Sequence, residues 1–318
     1  MKQDPNIPFI SVCIPAYKHT GFLKRLLNSI SIQTYDLFEV VITDDSPDNE
    51  VKILVQDYEK KIKSLRYYKN IPALGMPANW NKALTYASGK WIKIMHDDDW
   101  FATENALERL ASFAQSHDNA LIFSAYNNVF LSKNQTIAVS PSPFRLKQLQ
   151  KEPVTLLSLN IIGPPSVVMH RNDGAVNYDN KLKWLVDIDM YIQRIKFNTV
   201  AYLPEALINV GMGDEQVTAV VHGAAEVEIP EHFYFLQKTG IDKLDNILVY
   251  DYWWRFVRNF QLTPEKIYQY CKVETIHPVI KSMMSWQYYL PSQLLKIGPF
   301  SKTVMAIHYL FYKRLLQK

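Results

Sequence analysis

Three consecutive aspartates, Asp97 to Asp99, directly follow a strand-like segment at residues 91–95. Neighbouring carboxylates disfavour one another's ionisation, so a buried strand that ends in them requires a compensating charge. Hard divalent cations such as Mg²⁺ and Mn²⁺ accept one or two carboxylates and take their remaining ligands from phosphate and water. The triplet therefore indicates a divalent-metal site, and a solvated acidic turn is the alternative for so short a motif.

Two other strand-like segments also run into residues that could bind a ligand. They cover residues 9–14 and residues 38–43. The residues that follow them are Pro15, Ala16 and Tyr17 after the first, and Asp44 and Asp45 after the second. Three strand ends of this kind indicate a shared binding site more strongly than a single strand end does.

The segments that position these residues alternate between strand-like and helix-like patterns. Short apolar runs predict strands over residues 9–14, 38–43, 65–68, 91–95 and 121–124. Apolar residues recur at helical spacing between them, as over residues 22–30 and 107–114. This alternation predicts an α/β fold with a mainly parallel sheet and helices on both faces. Ligands of such sheets bind beyond the carboxyl ends of the strands, which is where the polar residues stand.

The glycine-rich loops that usually bind phosphates are missing. Neither a G-x-G-x-x-G turn nor a G-x-x-x-x-G-K-[ST] loop occurs in the chain. Their absence argues against a dinucleotide-dependent dehydrogenase and against a P-loop phosphotransferase. A metal ion held by carboxylates is then the natural means of neutralising a diphosphate.

The composition fits a globular protein with one large or two small domains. Hydrophobic residues make up 48% of the 318 residues, and the net charge of +4 is too small to argue for a nucleic-acid partner. The two cysteines, Cys13 and Cys271, lie far apart and suggest no disulfide framework. Residues 1–5 lack the apolar core of a signal peptide, and no run of 18 apolar residues marks a membrane span. We therefore expect a cytoplasmic location.

Four motifs together resemble glycosyltransferase family 2. They are SVCIPAY at residues 11–17, VITDDS at 41–46, NWNKA at 79–83 before GKWI at 89–92, and HDDDW at 96–100. The resemblance covers roughly residues 8–220, and the motifs are specific as a set rather than singly. It implies a GT-A fold, a nucleotide-diphosphate sugar as donor, a divalent metal ion (Mn²⁺ or Mg²⁺) and transfer with inversion at the anomeric carbon.

The resemblance assigns the donor site to the first half of the chain. The matching positions are Pro15, Ala16 and Tyr17 for the base and ribose, Asp45 with its neighbour Asp44 for the nucleobase, and Asn79 for the ribose and diphosphate. Turn formation is the alternative for the two aspartates. The alternative for Tyr17 is an ordinary aromatic residue at a strand end, and Trp80 fits a core position as well as a site position.

The metal motif departs from the family at one position. In the family's D-x-D-D pattern the first aspartate falls on His96, so Asp98 matches the metal ligand and Asp97 and Asp99 flank it. The resemblance therefore implies Asp98 and Asp99 as metal ligands and Asp97 as a donor contact. It leaves open which two of the three aspartates face the ion.

The resemblance assigns the acceptor and the base to the second half of the chain. Ser166, after Gly163-Pro164-Pro165, and Trp184 are acceptor candidates, and Asp187 matches the general base at the start of a helix that carries Arg194. The alternative for Asp187 is a helix N-cap. In the next loop Gln216 and Thr218 fit the family, but its expected Arg and His are missing, and His222 is the only nearby substitute.

The predicted domains are a GT-A domain at residues 1–222 and a helical region at residues 223–318. The first divides at about residue 125 into a nucleotide-sugar-binding half (about 8–125) and an acceptor half (about 126–222). No acidic residue follows Glu274, whereas six basic residues do, interleaved with apolar and aromatic ones. This tail predicts binding to an anionic membrane surface, at the inner face in a cytoplasmic protein. A helical cap on the catalytic domain or a homo-oligomer interface is the alternative.

The sequence thus predicts an inverting glycosyltransferase with a nucleotide-sugar donor, for which we favour a UDP-sugar. The acceptor would be a hydroxyl of a glycan or lipid-linked glycan in bacterial-type surface polysaccharide synthesis, such as O-antigen, capsule or exopolysaccharide. Two alternatives stay open. One is a sugar nucleotidyltransferase, and the other is an inactive module that binds a sugar nucleotide or a glycan.

Overall fold

A computed structural model of the chain describes residues 9–118, 120–175, 177–213, 223–273 and 275–316. The chain divides into two compact units. The sheet unit comprises Met1–Pro153 and Ile161–Ala219, and the helical unit comprises Val154–Asn160 and Val220–Lys318. The predicted domain boundary at residues 222–223 falls at the edge of the described residues and stays a prediction.

The sheet unit is built on one nine-stranded sheet within the described residues. Its strands are β1 (Ile10–Ala16), β2 (Phe38–Asp44), β3 (Leu65–Lys69), β4 (Trp91–Ile94), β5 (Trp100–Phe101), β6 (Ala120–Phe130), β7 (Gln135–Val139), β8 (Val168–Arg171) and β9 (Thr199–Gly211). Their order is β3-β2-β1-β4-β8-β6-β9-β5, and β7 pairs with β6.

The first four strands in this order are parallel. Every residue of β1 is buried, and so is every residue of β2 after Phe38. Such continuous burial is expected where helices cover both faces of a parallel sheet. The predicted α/β fold with a sheet flanked by helices is confirmed, and so are all five predicted strands.

The second half of the sheet is mixed rather than parallel. Strand β8 runs antiparallel to both β4 and β6, whereas β6 and β9 are parallel. Strand β6 is also longer than the predicted segment at residues 121–124, because it continues into a hairpin with the mostly exposed β7. Residues 126–139 do not have the apolar run by which the buried strands were recognised.

The sheet unit contains six α-helices in its described residues. They are α1 (Thr20–Ser31), α2 (Glu50–Gln56), α3 (Ala78–Tyr86), α4 (Ala106–Gln115), α5 (Pro143–Lys151) and α6 (Val186–Phe197). Helix α1 buries Leu23, Leu26, Leu27 and Ile30. Helix α4 buries Leu107, Leu110, Ala111 and Ala114. The helical spacing of apolar residues therefore identified the buried faces correctly.

The helical unit contains a second set of helices. They are α7 (Ala225–Thr239), α8 (Ile247–Phe260), α9 (Pro264–Tyr270), α10 (Pro278–Tyr288), α11 (Ser292–Leu295) and α12 (Gly298–Leu316). Its core contains Trp253 and Trp254, which are almost fully buried. The imidazole of His308 links three elements, since it makes hydrogen bonds of 2.6 Å to the Tyr250 hydroxyl and 2.9 Å to the Ser282 hydroxyl. The predicted helical C-terminal region is confirmed.

Candidate active site

The carboxyl ends of β1, β2 and β4 meet at one edge of the sheet. Ala16 lies beside Asp44 in the parallel register, and the backbone N–H of Asp45 donates to the Ala16 carbonyl at 3.1 Å. On the other side of β1, the N–H of Met95 donates to the Cys13 carbonyl at 2.9 Å. The three motifs that follow these strands are therefore neighbours, as the strand pattern predicted.

Asp45 organises the loop that follows β3. Its Oδ1 accepts from the Asn70 amide at 2.8 Å and from the Leu74 N–H at 3.0 Å, and its Oδ2 accepts from the Gly75 N–H at 2.7 Å. A carboxylate has about four acceptor positions, so three protein donors leave capacity for one further donor. This capacity is compatible with the predicted contact to the nucleobase, which stays a prediction.

Asp44 is fully buried and accepts three hydrogen bonds from the protein. Its Oδ2 accepts from the Tyr67 hydroxyl at 2.6 Å and from Lys69 Nζ at 2.9 Å, and its Oδ1 accepts from the Ser46 N–H at 2.7 Å. These bonds tie the end of β2 to the neighbouring β3. They account for Asp44 as a structural residue, and its predicted contact with the donor stays a prediction.

Asn79 connects the two strand ends with the loop. Its buried amide Nδ2 lies 3.3 Å from the Thr43 carbonyl and 3.5 Å from the Ala16 carbonyl. Its Oδ1 accepts from the Asn70 amide at 2.9 Å, and Asn70 in turn binds Asp45. Asn79 therefore holds the ends of β1 and β2 and the loop after β3 together, and its predicted contact with ribose and diphosphate stays untested.

Tyr17 is the exposed member of the first motif. Pro15 and Ala16 are buried in β1, whereas Tyr17 is 49% exposed and lies just beyond the strand. Its backbone N–H lies near the carboxylate of Asp97 and lowers the pKa of that carboxyl, so the first motif stands beside the aspartate triplet. Lys18 Nζ lies 4.8 Å from the centroid of the Tyr17 ring, and the predicted stacking of this ring on a base stays a prediction.

The three aspartates differ in their surroundings. Asp99 is buried, and its carboxylate accepts from the Gly211 N–H at 3.1 Å and from the Ser166 hydroxyl. Burial and the charge of Asp98 raise the pKa of Asp97 to about 7 and the pKa of Asp99 well above its usual range. Both shifts come first from burial and then from the charge of Asp98, and a bound cation would oppose them.

A group of side chains suited to a metal ion includes two of the aspartates. Ligand atoms of His96, Asp98 and Asp99 all lie within 4.8 Å of one another. The Nε2 atom of His96 is buried and has no hydrogen-bond partner in the described structure, although buried polar atoms nearly always have one. A divalent ion fits this donor set of two carboxylates and one imidazole.

Asp187 lies in the first turn of α6. The N-cap residue is Leu185, so Asp187 is not the helix cap that was the alternative. The N–H of Ile188 donates to Asp187 Oδ1 at 2.8 Å, and burial raises the pKa of the carboxyl to about 6. A carboxylate with this pKa can accept a proton near neutral pH.

An aromatic wall of Trp80 and Tyr178 lies beside His96 and within electrostatic reach of Asp187. The Trp80 ring lies 4.8 Å from the His96 ring and 5.0 Å, edge-on, from the Tyr178 ring, measured between centroids. Burial and then the charge of Asp187 raise the pKa of Tyr178, so the phenol stands within electrostatic reach of that carboxylate. Trp80 is thus both a core residue and part of the site.

The comparison with protein families agrees with this arrangement. The model of glycosyltransferase family 2 matches residues 11–169, which is half of the chain and includes β1 to β4 and the aspartate triplet. The chain belongs to glycosyltransferase family 2.

Related sequences support the membership. An uncharacterized glycosyltransferase of Methanocaldococcus jannaschii is 29% identical over 204 residues, which is 61% of this chain and 67% of that protein. The GalNAc(5)-diNAcBac-PP-undecaprenol beta-1,3-glucosyltransferase of Campylobacter jejuni is 29% identical over 94 residues, covering 29% of this chain and 30% of that protein.

Two solved structures have the same fold. S. aureus TarS 1-349 in complex with UDP-GlcNAc has a TM-score of 0.57 at 18% identity, and 87% of each chain is covered. The mannosyltransferase PcManGT of Pyrobaculum calidifontis, in complex with GDP-Man and Mn²⁺, has a TM-score of 0.56 at 14% identity, covering 99% of this chain and 89% of that one. The predicted family and GT-A fold are confirmed, so this chain belongs to a family of glycosyltransferases.

In this glycosyltransferase Ser166 supports the aspartate triplet. Its side chain is fully buried, and its hydroxyl oxygen accepts from the His96 N–H at 2.9 Å while its proton goes to Asp99. These bonds account for Ser166 without an acceptor sugar, and the acceptor role predicted for it stays untested. Trp184 is partly exposed just before α6, and its acceptor role also stays a prediction.

Gly211, the last residue of β9, approaches the aspartate triplet closely. A Cβ atom at this position would lie 2.5 Å from the Asp98 carbonyl oxygen, so only glycine allows the observed approach. Its N–H also donates to Asp99. The sequence reasoning placed residue 211 in a loop with missing family residues. Residues 214–222, which include Gln216, Thr218 and His222, lie outside the described residues.

Two basic residues near the triplet were also missed. Lys93 is fully buried in β4, with Nζ 3.5 Å from the Val168 carbonyl, and burial lowers its pKa to about 7 while the charge of Asp99 opposes the shift. Arg25 of α1 stacks on the Trp100 ring at 4.3 Å, and its charge interacts with Asp98 and Asp99. Lys93 could have been recognised in the sequence, because it is a lysine within an otherwise apolar strand.

Proposed function

We propose that this glycosyltransferase is an inverting, metal-dependent enzyme that transfers a sugar from a UDP-sugar to a hydroxyl of a lipid-linked or other glycan acceptor. The observation that carries the proposal is the aromatic wall of Trp80 and Tyr178. Trp80 packs on His96 of the group His96, Asp98 and Asp99, and Tyr178 is within electrostatic reach of the base candidate Asp187. Binding of the donor diphosphate and activation of the acceptor require two such groups.

Asp187 has the properties required for the proton transfer. An acceptor hydroxyl would lose its proton to the Asp187 carboxylate as its oxygen forms the new bond to the anomeric carbon. The bond between that carbon and the diphosphate oxygen breaks in the same step, and the diphosphate leaves with the bonding electron pair. One displacement from the opposite face inverts the configuration.

The aspartate triplet, together with Asp45 and Tyr17, would hold the nucleotide. Asp98 and Asp99 would hold a Mn²⁺ or Mg²⁺ ion, which offsets the charge of the leaving diphosphate when bound. Asp45 would accept from the nucleobase through its remaining acceptor position, and Tyr17 would stack on the base. The UDP-GlcNAc complex of TarS and the Mn²⁺ complex of PcManGT support the choice of UDP and of a metal in proteins of this fold.

The proposed acceptor class rests on the relatives and on the helical unit. The Campylobacter relative is named for a glucosyl transfer to an undecaprenol-linked glycan, which supports a lipid-linked acceptor. In the helical unit Ile307, Leu310 and Phe311 follow helical spacing on α12 and are 54%, 61% and 53% exposed. An exposed apolar stripe among basic residues suits adsorption to an anionic membrane surface.

The described helices include none that is both long and apolar enough to span a bilayer. The proposal includes adsorption at the inner face of a membrane, with a cytoplasmic location, and it rests on the apolar and basic residues of the C-terminal segment. Use of the same surface as a homo-oligomer interface stays the alternative.

Nucleotide binding tests the proposal directly. Calorimetry with UDP, GDP, CDP and dTDP, each with and without Mn²⁺, should give metal-dependent binding of UDP to the wild type and loss of that binding in Asp98→Ala. Hydrolysis or transfer assays with the matching UDP-sugars would then identify the sugar. Failure of all four nucleotides to bind the folded protein in the presence of Mn²⁺ would contradict active transfer and favour an inactive binding module.

A further inference from the structure

The metal-binding group contains a histidine at a position where the family pattern has an aspartate. His96 replaces the first aspartate of D-x-D-D and stands directly after β4. An imidazole and a carboxylate differ in the metal ions that they favour. Carboxylates suit Mg²⁺ and Mn²⁺, whereas imidazole suits transition-metal ions and is a poor ligand for Mg²⁺.

The orientation of His96 is set by contacts on both sides. Its backbone N–H donates to the buried Ser166 hydroxyl at 2.9 Å, and its ring packs on Trp80 with centroids 4.8 Å apart. A ligand atom of the ring lies within 4.8 Å of carboxylate oxygens of Asp98 and Asp99. The imidazole is therefore held beside the two carboxylates by the surrounding packing.

The imidazole also has an unfulfilled bonding capacity. Its Nε2 atom is buried and has no hydrogen-bond partner in the described structure. A histidine retained only for packing is expected to have its buried nitrogens bonded, as His308 has in the helical unit. The lone pair of an imidazole nitrogen is the group that binds a metal ion.

We propose that His96 is a nitrogen ligand of the metal ion and that it shifts the preference of this enzyme from Mg²⁺ towards Mn²⁺ and other transition-metal ions. The inference rests on the proposed metal-dependent transfer and adds to it the chemical class of the metal. It predicts a site with one nitrogen and two carboxylate ligands, in contrast to the all-oxygen donor set of the D-x-D-D pattern.

Pulsed electron paramagnetic resonance on the full chain with Mn²⁺, with and without UDP, tests the coordination. The wild type should show ¹⁴N modulation from a directly bound nitrogen, and histidine labelled with ¹⁵N should change it. His96→Asp should still bind Mn²⁺ and lose the modulation. His117→Gln, which replaces a partly buried histidine of the sheet unit bonded to the Phe113 carbonyl, should retain it.

Calorimetry with Mn²⁺ and Mg²⁺ tests the selectivity. His96→Asp should lower the ratio of Mn²⁺ to Mg²⁺ affinity by about tenfold, since a hard oxygen ligand replaces the nitrogen. Mn²⁺ bound to the wild type without ¹⁴N modulation would overturn the role of His96 and leave the proposed transfer intact. Absence of Mn²⁺ binding to the wild type would overturn both. The labelled wild type decides the matter even where a variant fails to fold.

Discussion

Asp187 has the two properties that a general base needs, which are a suitable pKa and a fixed position. Burial raises the pKa of its carboxyl to about 6, and the Ile188 N–H holds Oδ1 in place. Bases with a pKa near the working pH combine a large ionised fraction with a strong tendency to take a proton. A fully exposed aspartate is ionised at neutral pH, but its pKa is too low for it to take a proton readily.

Replacement of the carboxylate tests this role. Asp187→Asn should reduce the rate of sugar transfer by about 10²- to 10⁴-fold, because an amide cannot accept the proton. Nucleotide affinity, measured by calorimetry, should stay unchanged. Asp57→Asn, which alters an exposed aspartate after α2, is the matched control and should leave the rate unchanged. A rate within twofold of the wild type for Asp187→Asn would exclude Asp187 as the base.

The raised pKa predicts a pH dependence. The base acts only when ionised, so kcat/KM should be constant well above pH 6 and should fall tenfold per pH unit well below it. Two buried phenols, those of Tyr178 and Tyr191, stand near Asp187. Burial and then the charge of Asp187 raise the pKa of both phenols, so neither phenol ionises in this pH range. The acidic limb is expected within about one pH unit of 6. A profile without such a limb between pH 5 and 7 would contradict the assignment.

The carboxyl of Asp97 also titrates close to this range, at about 7. Profiles recorded at two Mn²⁺ concentrations separate the two groups. A limb that moves with metal concentration belongs to the aspartate triplet, because a nearby cation favours the charged carboxylate. A limb that does not move belongs to Asp187.

At the scale of elements, the end of β9 supports the triplet. Gly211 reaches Asp98 and Asp99 from a strand more than a hundred residues away in the chain, and Ser166 reaches Asp99 from the turn before β8. Two elements from beyond residue 160 therefore fix residues that follow β4. The positions of His96, Asp98 and Asp99 therefore depend on contacts with distant parts of the sheet unit, and not only on the loop after β4.

A single methyl group tests this dependence. Gly211→Ala would place Cβ 2.5 Å from the Asp98 carbonyl oxygen, so the backbone must shift. We expect a loss of about 1–3 kcal/mol in the free energy of unfolding and weaker Mn²⁺ binding. Gly213→Ala, whose Cβ would meet no atom of the described residues within 4 Å, is the control for thermal unfolding and calorimetry. Equal metal affinity in the two variants would show that the close approach is not needed.

At the scale of the whole molecule, the charge distribution along the chain is uneven. The net charge is only +4, but the segment after Glu274 contains six basic residues and no acidic one. Lys281, Lys296 and Lys302 of this segment are exposed. Each basic residue near an anionic bilayer contributes about 1 kcal/mol to binding, so this segment outweighs the modest net charge.

Vesicle binding tests the proposed surface. Lys296→Glu with Lys302→Glu should weaken binding to phosphatidylglycerol vesicles by more than about tenfold, with little effect on phosphatidylcholine vesicles. Lys60→Glu with Lys63→Glu changes the net charge equally on exposed positions of the sheet unit and should leave binding unchanged. Co-sedimentation measures both. Equal loss of vesicle binding in the two double variants would show that the effect comes from net charge alone. Absence of vesicle binding by the wild type would favour the oligomer interface.

Much of the fold and of the site could be predicted because burial leaves a local record. The continuous apolar runs at β1, β2 and β4 follow from cover on both faces of the sheet. The periodicity of α1 and α4 follows from one buried face. Since the carboxyl ends of adjacent parallel strands lie at one edge, these patterns also brought together Tyr17, Asp45 and the aspartate triplet. Asp187 was proposed as the base from its motif at a helix start, and that role stays a prediction.

Contacts between distant residues were decided only by the tertiary structure. Sequence periodicity does not show that the Gly211 N–H donates to Asp99 or that Tyr67 and Lys69 donate to Asp44. It also does not show that the His96 N–H donates to the buried Ser166 hydroxyl. The same holds for the mixed second half of the sheet, because pairing partners are chosen by packing rather than by local pattern. Local sequence determines which residues are buried, and the assembled sheet determines which atoms they meet.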